Sequence, residues 1–328
     1  MRKINILTVL GTVGFFCIGG IAMAGSAKSG SVAQAPRITL RPDLVIGVAE
    51  GNENLMLGSV SRIDIDGSGK IYVLDYKDRL IRIFKNDGSF LRNISVPAGQ
   101  GPKEATNLSG IAVTPRGTLY VNDQRKVIVY GADGSFVRSF LVDFMISSIG
   151  CPGTEDLVAI SPHAGKILHV FDEAGKLLGS FGKPFAVSAE FEAMKEMPMF
   201  GAPIIFDCGK DGRIFVLNPH KYEISVFKDR RLEQVLKGES PLFSPIKRMG
   251  RALVSTAAHI VGVGGRTFVV FQALDPRQQK KMDVFENGKQ VETLDVNGTP
   301  YAVDPQGRIY FAEEVDFTKV VRYSVISR

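Results

Sequence analysis

This sequence predicts an all-β fold in which one four-stranded sheet is repeated six times around a closed ring. Three observations predict it. A short apolar strand recurs six times, a second strand containing an aromatic residue follows each copy, and the spacing of those aromatics is fairly regular. A period of roughly 40 to 50 residues is typical of four-stranded propeller blades. The sequence therefore predicts a single six-bladed β-propeller.

The first recurring strand is apolar, and a glycine precedes it in five of the six copies. A glycine at that point supplies the positive φ of a tight hairpin turn. The copies are Ile71–Val73, Leu119–Val121, Leu157–Ala159, Ile214–Val216, Thr267–Val269 and Ile309–Phe311, and the glycines are Gly69, Gly117, Gly212, Gly265 and Gly307.

The second recurring strand contains an aromatic residue and often leads through a turn, such as Asn86–Gly88, into a short outer strand, such as Phe90–Arg92. A pair of β-sandwiches is the rival all-β fold, but a regular unit repeated six times disfavours it. The aromatics are Phe84, Tyr130, Phe171, Phe227, Phe285 and Tyr323, which by subtraction lie 46, 41, 56, 58 and 38 residues apart.

The two ends of the repeat region predict how the ring closes. After Tyr323 only Ser324 to Arg328 remain, which is too short for an outer strand. Two short stretches, Ile38-Thr39-Leu40 and Leu44-Val45-Ile46, precede the first repeat and have no partner of their own. Because closure removes exposed sheet edges, we predict that this N-terminal strand pairs with the C-terminal one.

The first residues predict export. Arg2 and Lys3 precede an uncharged apolar stretch that ends at Ala22-Met23-Ala24, the pattern of a signal peptide cleaved after residue 24. Residues 25–36 are small and polar and predict a flexible linker, and residues 37–328 form the propeller. We therefore expect a periplasmic or extracellular protein with no membrane span after cleavage.

Charge and cysteine content narrow the functional classes. Removing the signal peptide lowers the formal net charge from +6 to +4, and no Lys/Arg run alternates with aromatics. This pattern disfavours nucleic acid as a partner. Cys151 and Cys208 remain in the mature chain, and they could form a disulfide or stay as separate buried thiols.

Two stretches resemble the NHL-type six-bladed propellers. Gly99 to Glu104 is similar to the G-x-G-P-x-E linker of bacterial members, and "GTLYVNDQRKVIVYGADGSFVRSF" is similar to the NHL core. The resemblance is good in the first two repeats and poor in the third and fifth. It implies the fold more than an activity, because such propellers serve as scaffolds, binders and occasionally enzymes.

Polar side chains are expected at the end of the first recurring strand in most repeats, next to the mouth of the channel. They could bind a cation or a polar ligand, or they could cap nearby backbone N–H groups, as Asp and Asn do in turns. The candidates are Asp75, Asp123, Asn218 and Glu313.

Three histidines are weak candidates for a metal site. His163 and His220 occupy equivalent turns of neighbouring repeats, and His259 lies on a predicted innermost strand. Zinc sites need three or four ligands, and lyases and lactonases on this fold use zinc or calcium. The ligand patterns of those relatives are not reproduced in this sequence.

An insertion from Lys183 to Pro203 separates the third and fourth repeats. Val187, Phe191 and Met194 follow helical spacing, which predicts a short amphipathic helix that ends before Pro198. Its methionines could ligate Cu(I), or its apolar side chains could pack over the channel mouth as a partner-binding lid. The lid candidates are Phe191, Met194, Met197, Met199 and Phe200, with His220 nearby.

These observations favour an exported, non-catalytic binding or scaffold protein. It would recognise a protein, peptide or glycan partner on the channel-mouth face and would require no cofactor. The sequence shows no nucleophile elbow and no phosphate-binding glycine loop. The alternative is a zinc- or calcium-dependent lyase or lactonase with its site in the central channel.

Overall fold

The structure is a computed structural model that describes residues 37–187, 189–194, 205–249, 252–272 and 279–327. The predicted signal peptide and linker lie outside the described residues. The described part is almost wholly β, with one short 3₁₀ helix at Ala189–Met194. That helix falls where the sequence predicted an amphipathic helix, but it is short and of the tighter 3₁₀ type.

Six four-stranded antiparallel sheets make up the fold, and each sheet is one blade. The first strand, β1 (Ile38–Ile46), belongs to the last blade. From innermost to outermost strand, blade 1 contains β2 (Val60–Ile65), β3 (Ile71–Asp75), β4 (Leu80–Phe84) and β5 (Phe90–Ser95). Blade 2 contains β6 (Gly110–Val113), β7 (Leu119–Asp123), β8 (Lys126–Tyr130) and β9 (Phe136–Leu141). Blade 3 contains β10 (Ser148–Gly150), β11 (Leu157–His163), β12 (Lys166–Phe171) and β13 (Leu177–Phe181).

The remaining blades follow the same order. A separate two-stranded hairpin lies between blades 4 and 5, formed by β18 (Lys247–Met249) and β19 (Ala252–Val254). Blade 4 contains β14 (Ile205–Cys208), β15 (Ile214–Leu217), β16 (Glu223–Lys228) and β17 (Arg231–Lys237). Blade 5 contains β20 (Ala257–Val263), β21 (Arg266–Phe271), β22 (Lys280–Glu286) and β23 (Lys289–Val296). Blade 6 contains β24 (Gly298–Val303), β25 (Ile309–Glu313), β26 (Lys319–Ser327) and β1.

The six innermost strands form the closed ring. Each contacts its neighbour: β2 with β6, β6 with β10, β10 with β14, β14 with β20, β20 with β24, and β24 with β2. The predicted six-bladed architecture is therefore confirmed. A narrow channel runs along the axis of this ring, lined by residues of the innermost strands.

The N-terminal strand closes the last blade, as predicted. β1 pairs antiparallel with β26 from Ile38 opposite Ser327 to Ile46 opposite Val320, with one register shift between Pro42 and Leu44. Ile38 and Ile46 are buried against the neighbouring core. Joining the two ends of the chain in one sheet resists opening of the ring, because separation would expose both strands.

Tight turns with glycine join the innermost and second strands. Gly69, Gly117, Gly212 and Gly307 have positive φ, as the sequence predicted. Gly265 does not, and Gly264 before it adopts the positive φ of that turn instead. The hydrophobic core lies between adjacent blades as six clusters around the ring.

Candidate functional site

The two faces of the ring differ in the length of their connections. On one face, here called the mouth face, lie the links from each outermost strand to the next blade and the turns between second and third strands. This face carries long links at residues 47–59, 96–109, 182–204 and 238–256. Within the described ranges, no connection on the opposite face is longer than residues 151–156. Binding residues concentrate on long loops held by a rigid scaffold, so the mouth face is the candidate face.

The Gly99 to Glu104 stretch forms one of these links, between blades 1 and 2. The Glu104 carboxylate turns back on the loop and accepts a hydrogen bond from Gly101 N at 2.9 Å. A Cβ on Gly99, which has a φ of 148°, would collide with that carboxylate. Lys126 Nζ donates to Gly101 O at 3.2 Å. The glycines of this stretch therefore allow a compact loop on the mouth face.

Asp75 and Asp123 lie at the ends of β3 and β7, where the sequence placed them, and both are buried. Asp75 accepts hydrogen bonds from Gly58 N at 2.7 Å and Ser59 N at 3.0 Å. Asp123 does the same for the next link, accepting from Asn107 N at 2.7 Å and Thr106 N at 3.1 Å.. Both carboxylates hold a mouth-face link against its blade, which is the capping role.

Asn218 and Glu313 occupy the equivalent positions of blades 4 and 6 and are also buried. Asn218 Oδ1 accepts from His220 N at 2.9 Å, which orders the turn after β15. Glu313 Oε1 accepts from the Tyr323 hydroxyl at 2.6 Å within its own blade. Asn218 and Glu313 thus each have a local hydrogen bond.

The lid candidates are described only in part. Phe191 and Met194 belong to the 3₁₀ helix Ala189–Met194, which lies in the link between blades 3 and 4. Met197, Met199 and Phe200 lie outside the described residues. The prediction that these side chains cover the channel mouth stays a prediction.

Four charged side chains and a histidine meet inside the central channel. Arg62 and Asp64 come from β2, Asp207 from β14, Lys210 from the turn after β14, and His259 from β20. They line one cavity of about 40 Å³. Small-molecule sites are typically about 300 to 1,000 Å³. The cavity can therefore hold a few atoms of a ligand and no whole substrate.

Asp64 and Asp207 occupy matching register positions on opposite blades. Asp64 lies opposite Tyr72 and Asp207 opposite Phe215 in their sheets. Each accepts a backbone N–H from the innermost strand of the following blade: Asp64 Oδ2 from Val113 N at 2.7 Å, and Asp207 Oδ2 from Gly262 N at 2.9 Å. The two carboxylates thus link neighbouring blades at two opposite points of the ring.

The carboxylates of Asp64 and Asp207 differ in that Asp64 forms an ion pair with Lys210. Its Nζ lies 2.6 Å from Asp64 Oδ1, so its side chain crosses the channel from blade 4 to blade 1. Burial alone would lower the pKa of Lys210, but the adjacent Asp64 carboxylate raises it. Burial raises the pKa of Asp207 to about 7, and the negative charge of Asp64 adds to the shift. Asp207 therefore titrates near neutrality.

Arg62 and His259 form a pair that lies nearer the mouth face than Asp64 and Asp207. The innermost strands start at the mouth face, and Arg62 lies two residues before Asp64 on β2. Arg62 Nη1 and His259 Nε2 are 3.0 Å apart, and His259 Nδ1 lies 3.1 Å from Ile260 O. Burial and the Arg62 charge lower the pKa of His259 to about 3. A neutral imidazole that donates from Nδ1 and accepts at Nε2 satisfies both contacts.

The other two histidine candidates lie elsewhere. His163, at the end of β11, stacks on Phe144 with ring centroids 4.8 Å apart, and its Nε2 lies 3.8 Å from the exposed Asp143. His220 lies in the turn after β15, and burial lowers its pKa. His259 alone faces the channel cavity. Within the described residues, no three His, Cys, Asp or Glu side chains are grouped to hold a metal ion.

Cys151 and Cys208 also line the channel cavity, and both are buried free thiols. Burial raises the pKa of each, so both are protonated and unreactive at neutral pH. The structure thus shows the second of the two alternatives that the sequence left open.

Most of the channel cluster was not predicted from the sequence. The residues not predicted are Arg62, Asp64, Asp207, Lys210 and Tyr301. A signal for two of them was present. Arg62 and Asp64 alternate with the buried Ile63 and Ile65 on β2, so both polar side chains lie on the same face of this innermost strand.

Comparison with known proteins agrees with this architecture. A family model described as a 6-bladed beta-propeller matches residues 49–177, a stretch that runs from the link before β2 to the start of β13. The match supports a six-bladed propeller family, and the NHL type stays a resemblance. No curated protein matches the chain in sequence.

Several solved structures share the fold. A protein from Bacteroides fragilis described as exported is 12% identical with a TM-score of 0.58, covering 89% of this chain and 96% of that one. A member of the DUF4221 family from Bacteroides vulgatus is 12% identical with a TM-score of 0.59, covering 89% and 99%. Virginiamycin B lyase from Staphylococcus aureus is 15% identical with a TM-score of 0.52, covering 88% and 100%. At such identity the likeness extends to the fold alone.

The part of the chain that the structure describes contains no helix long and apolar enough to cross a membrane.

Proposed function

We propose that this protein is an exported, non-catalytic binding or scaffold propeller that holds a protein, peptide or glycan partner on its mouth face. The single observation that carries the proposal is the unequal length of the connections. Long links gather on the mouth face, whereas the opposite face consists of short turns. A propeller core needs only short links, so the extra length on one face serves something other than folding.

The four long links flank two opposite blades, with residues 47–59 and 96–109 on either side of blade 1 and the two longest links on either side of blade 4. Residues 182–204 and 238–256 flank blade 4, and the second contains the β18–β19 hairpin. By contrast, only Asn297 separates blades 5 and 6. The lid residues Phe191, Met194, Met197, Met199 and Phe200 supply the apolar contact in this proposal. Asp75, Asp123, Asn218 and Glu313 act indirectly, by fixing the turns and links around them.

Export rests on the signal-peptide pattern at residues 1–24. The description of the Bacteroides fragilis protein as exported agrees with it. Two cysteines kept apart as free thiols are compatible with an oxidising compartment, because both are buried and protonated.

The test uses the mature chain, residues 25–328, on arrays of glycans and of peptides. The matched variant replaces residues 183–203 by a short Gly/Ser linker. We expect this variant to fold, because the blades supply their own core, and to lose the binding that the wild type shows. A variant that does not fold would assign a structural role to the segment. A folded variant that still binds would place recognition elsewhere.

The alternative is a zinc- or calcium-dependent lyase or lactonase with its site in the central channel. The channel residues do not fit a metal centre as they stand. Asp64 is paired with Lys210, and the acceptor nitrogen of His259 is used by Arg62. Metal analysis of the purified protein, with and without chelator, distinguishes the two proposals. Stoichiometric zinc or calcium that is lost together with thermal stability would favour the enzyme.

A further inference from the structure

The Arg62 guanidinium is held in a fixed position inside the channel. Its Nη1 donates to His259 Nε2 at 3.0 Å, and its Cζ lies 5.7 Å from the centroid of the Tyr301 ring. Tyr301 in turn meets the His259 ring edge-on, with centroids 4.9 Å apart. Two neutral rings therefore contact Arg62 and fix its orientation, and neither ring supplies a negative charge.

The two acids that line the cavity with Arg62 have hydrogen-bond partners of their own, and the Asp207 charge acts on Arg62 from outside ion-pair distance. Asp64 accepts from the Lys210 ammonium and from Val113 N, and Asp207 accepts from Gly262 N. Across the described ranges, Arg62 forms no ion pair with a carboxylate. Arg62 is half-buried, and a charge that is partly withdrawn from water without an ion-pair partner is costly, so this arrangement favours an anion from outside the chain.

The cavity beside Arg62 sets the size of that anion. It measures about 40 Å³ and is lined by Arg62, Ser148, Asp207, His259 and Tyr301, among others. A cavity needs about 10 to 15 Å³ measured in this way to hold one water. A group of a few heavy atoms fits, whereas a sugar ring or an amino-acid side chain with its backbone does not.

The charges around the cavity favour a negative group. Arg62 and Lys210 are cations, and Asp64 is the partner of Lys210. Asp207 adds at most one negative charge, which a proton removes near neutral pH. The net charge of Arg62, Lys210, Asp64 and Asp207 together is therefore between 0 and +1, and Arg62 is the cation without an ion pair.

Arg62 lies on the mouth-face side of the channel cluster. Arg62 precedes Asp64 on β2, and the innermost strands run away from the mouth face. Deeper in the channel, Lys210 crosses from blade 4 to Asp64 on blade 1 and also approaches Val113 O on blade 2 at 3.4 Å. The crossing side chain obstructs access from the opposite face.

We propose that Arg62 binds one carboxylate group, presented end-on from the mouth face, in the channel cavity. The guanidinium fork matches the two oxygens of a carboxylate. The carboxylate can belong to a free small acid or to the C-terminus of a peptide. This inference rests on the proposed binding role of the mouth face and names the chemistry that the channel adds to it.

The first experiment titrates the mature protein with sodium acetate at constant ionic strength and detects binding by saturation-transfer NMR on the acetate methyl group. We expect saturable binding to the wild type. Arg62→Gln should weaken it about ten- to a hundredfold, the usual contribution of a hydrogen bond to a charged group. Lys103→Gln removes an exposed cation from a mouth-face link and should leave it unchanged.

Two peptide probes identify the source of the carboxylate. N-acetyl-triglycine with a free C-terminus is compared with its C-terminal amide. Binding of the acid but not of the amide assigns a peptide C-terminus. Binding of acetate alone, with neither peptide bound, assigns a free small acid. Both results support the proposal if Arg62→Gln weakens the binding by the same factor as it weakens acetate binding.

Other results overturn it. Absence of acetate binding in the wild type does so even if Arg62→Gln fails to fold. Equal competition by chloride would show a general anion site, and equal binding to Arg62→Gln would show a site elsewhere. In each case, array binding that still depends on residues 183–203 would leave the proposed function standing, so the two failures are distinguishable.

Discussion

Lys210 and Asp64 form an ion pair across the central channel that joins blade 4 to blade 1. The Nζ–Oδ1 distance is 2.6 Å, and the two side chains are only 10% and 15% exposed. The contact bridges strands that are far apart in sequence and on opposite sides of the ring. It therefore contributes both to obstruction of the channel and to the rigidity of the ring.

Replacing the cation tests this pair. Lys210→Met should lower the free energy of unfolding by about 3 to 5 kcal/mol, because it leaves the Asp64 carboxylate buried without its partner. Lys281→Met is the matched control, since its pair with Asp295 is half exposed and should contribute less than about 1 kcal/mol. Urea denaturation measures both, and equal losses would contradict a special role for the channel pair.

Asp207 predicts a pH dependence of stability. Its pKa in the folded protein is about 7, above the ordinary aspartate value of 3.8, so between those values the folded state binds more protons than the unfolded state. Its contribution to stability is full below about pH 4 and is lost as the pH rises through about 7. Between these limits the expected slope approaches about 1.4 kcal/mol per pH unit.

The variant Asp207→Asn isolates that contribution. It keeps an oxygen for Gly262 N and removes the titration, so the difference in unfolding free energy between wild type and variant should change from pH 5 to pH 8. The exposed Asp316→Asn serves as control and should follow the wild type. A constant difference between wild type and Asp207→Asn would show that Asp207 does not titrate in this range.

The closing strand offers a test with its own internal control. Ile38 and Ile46 on β1 are 1% and 2% exposed, whereas Val45 on the same strand is 56% exposed. Ile38→Ala and Ile46→Ala should each cost about 2 to 5 kcal/mol, and Val45→Ala less than about 0.5 kcal/mol. Chemical denaturation gives the three values. Similar small losses for all three would mean that β1 is not part of the core.

Gly99 tests the compact loop on the mouth face. Gly99→Ala places a Cβ where the Glu104 carboxylate lies, in a backbone conformation that side chains rarely adopt. We expect a loss of about 1 to 3 kcal/mol in unfolding free energy. A Cβ on Gly110 meets nothing within 4 Å, so Gly110→Ala should be close to neutral. If both variants behave alike, the loop is not constrained by Glu104.

The fold could be predicted from the sequence because each blade repeats a local pattern. Glycine turns and strand aromatics recur along the chain, and the unpartnered segment before the first blade indicated the closing strand. Repetition also fixed the positions of Asp75 and Asp123 at their strand ends. Capping of nearby backbone N–H groups was one of the two roles predicted for Asp75 and Asp123. The hydrogen bonds that their carboxylates accept match that role.

The channel cluster could not be predicted in the same way. Asp64 and Lys210 meet only because blades 1 and 4 face each other across the ring, and no local spacing encodes that distance. The innermost strands are also short, such as Gly110–Val113, so their register was not visible before the second strands were paired. The alternation of Arg62 with apolar neighbours was visible, but it does not show that this face of β2 borders the channel.

The location of the partner-binding surface is the central claim, and hydrogen–deuterium exchange of the protein with a ligand found on the arrays tests it most directly. We predict slower exchange on the mouth-face links, at residues 96–109, 182–187 and 238–246, on binding. The outer strands carry exposed apolar residues such as Leu141 and Leu232 and present free sheet edges that could also bind a chain. Protection confined to β9, β13 and β17 would contradict the account.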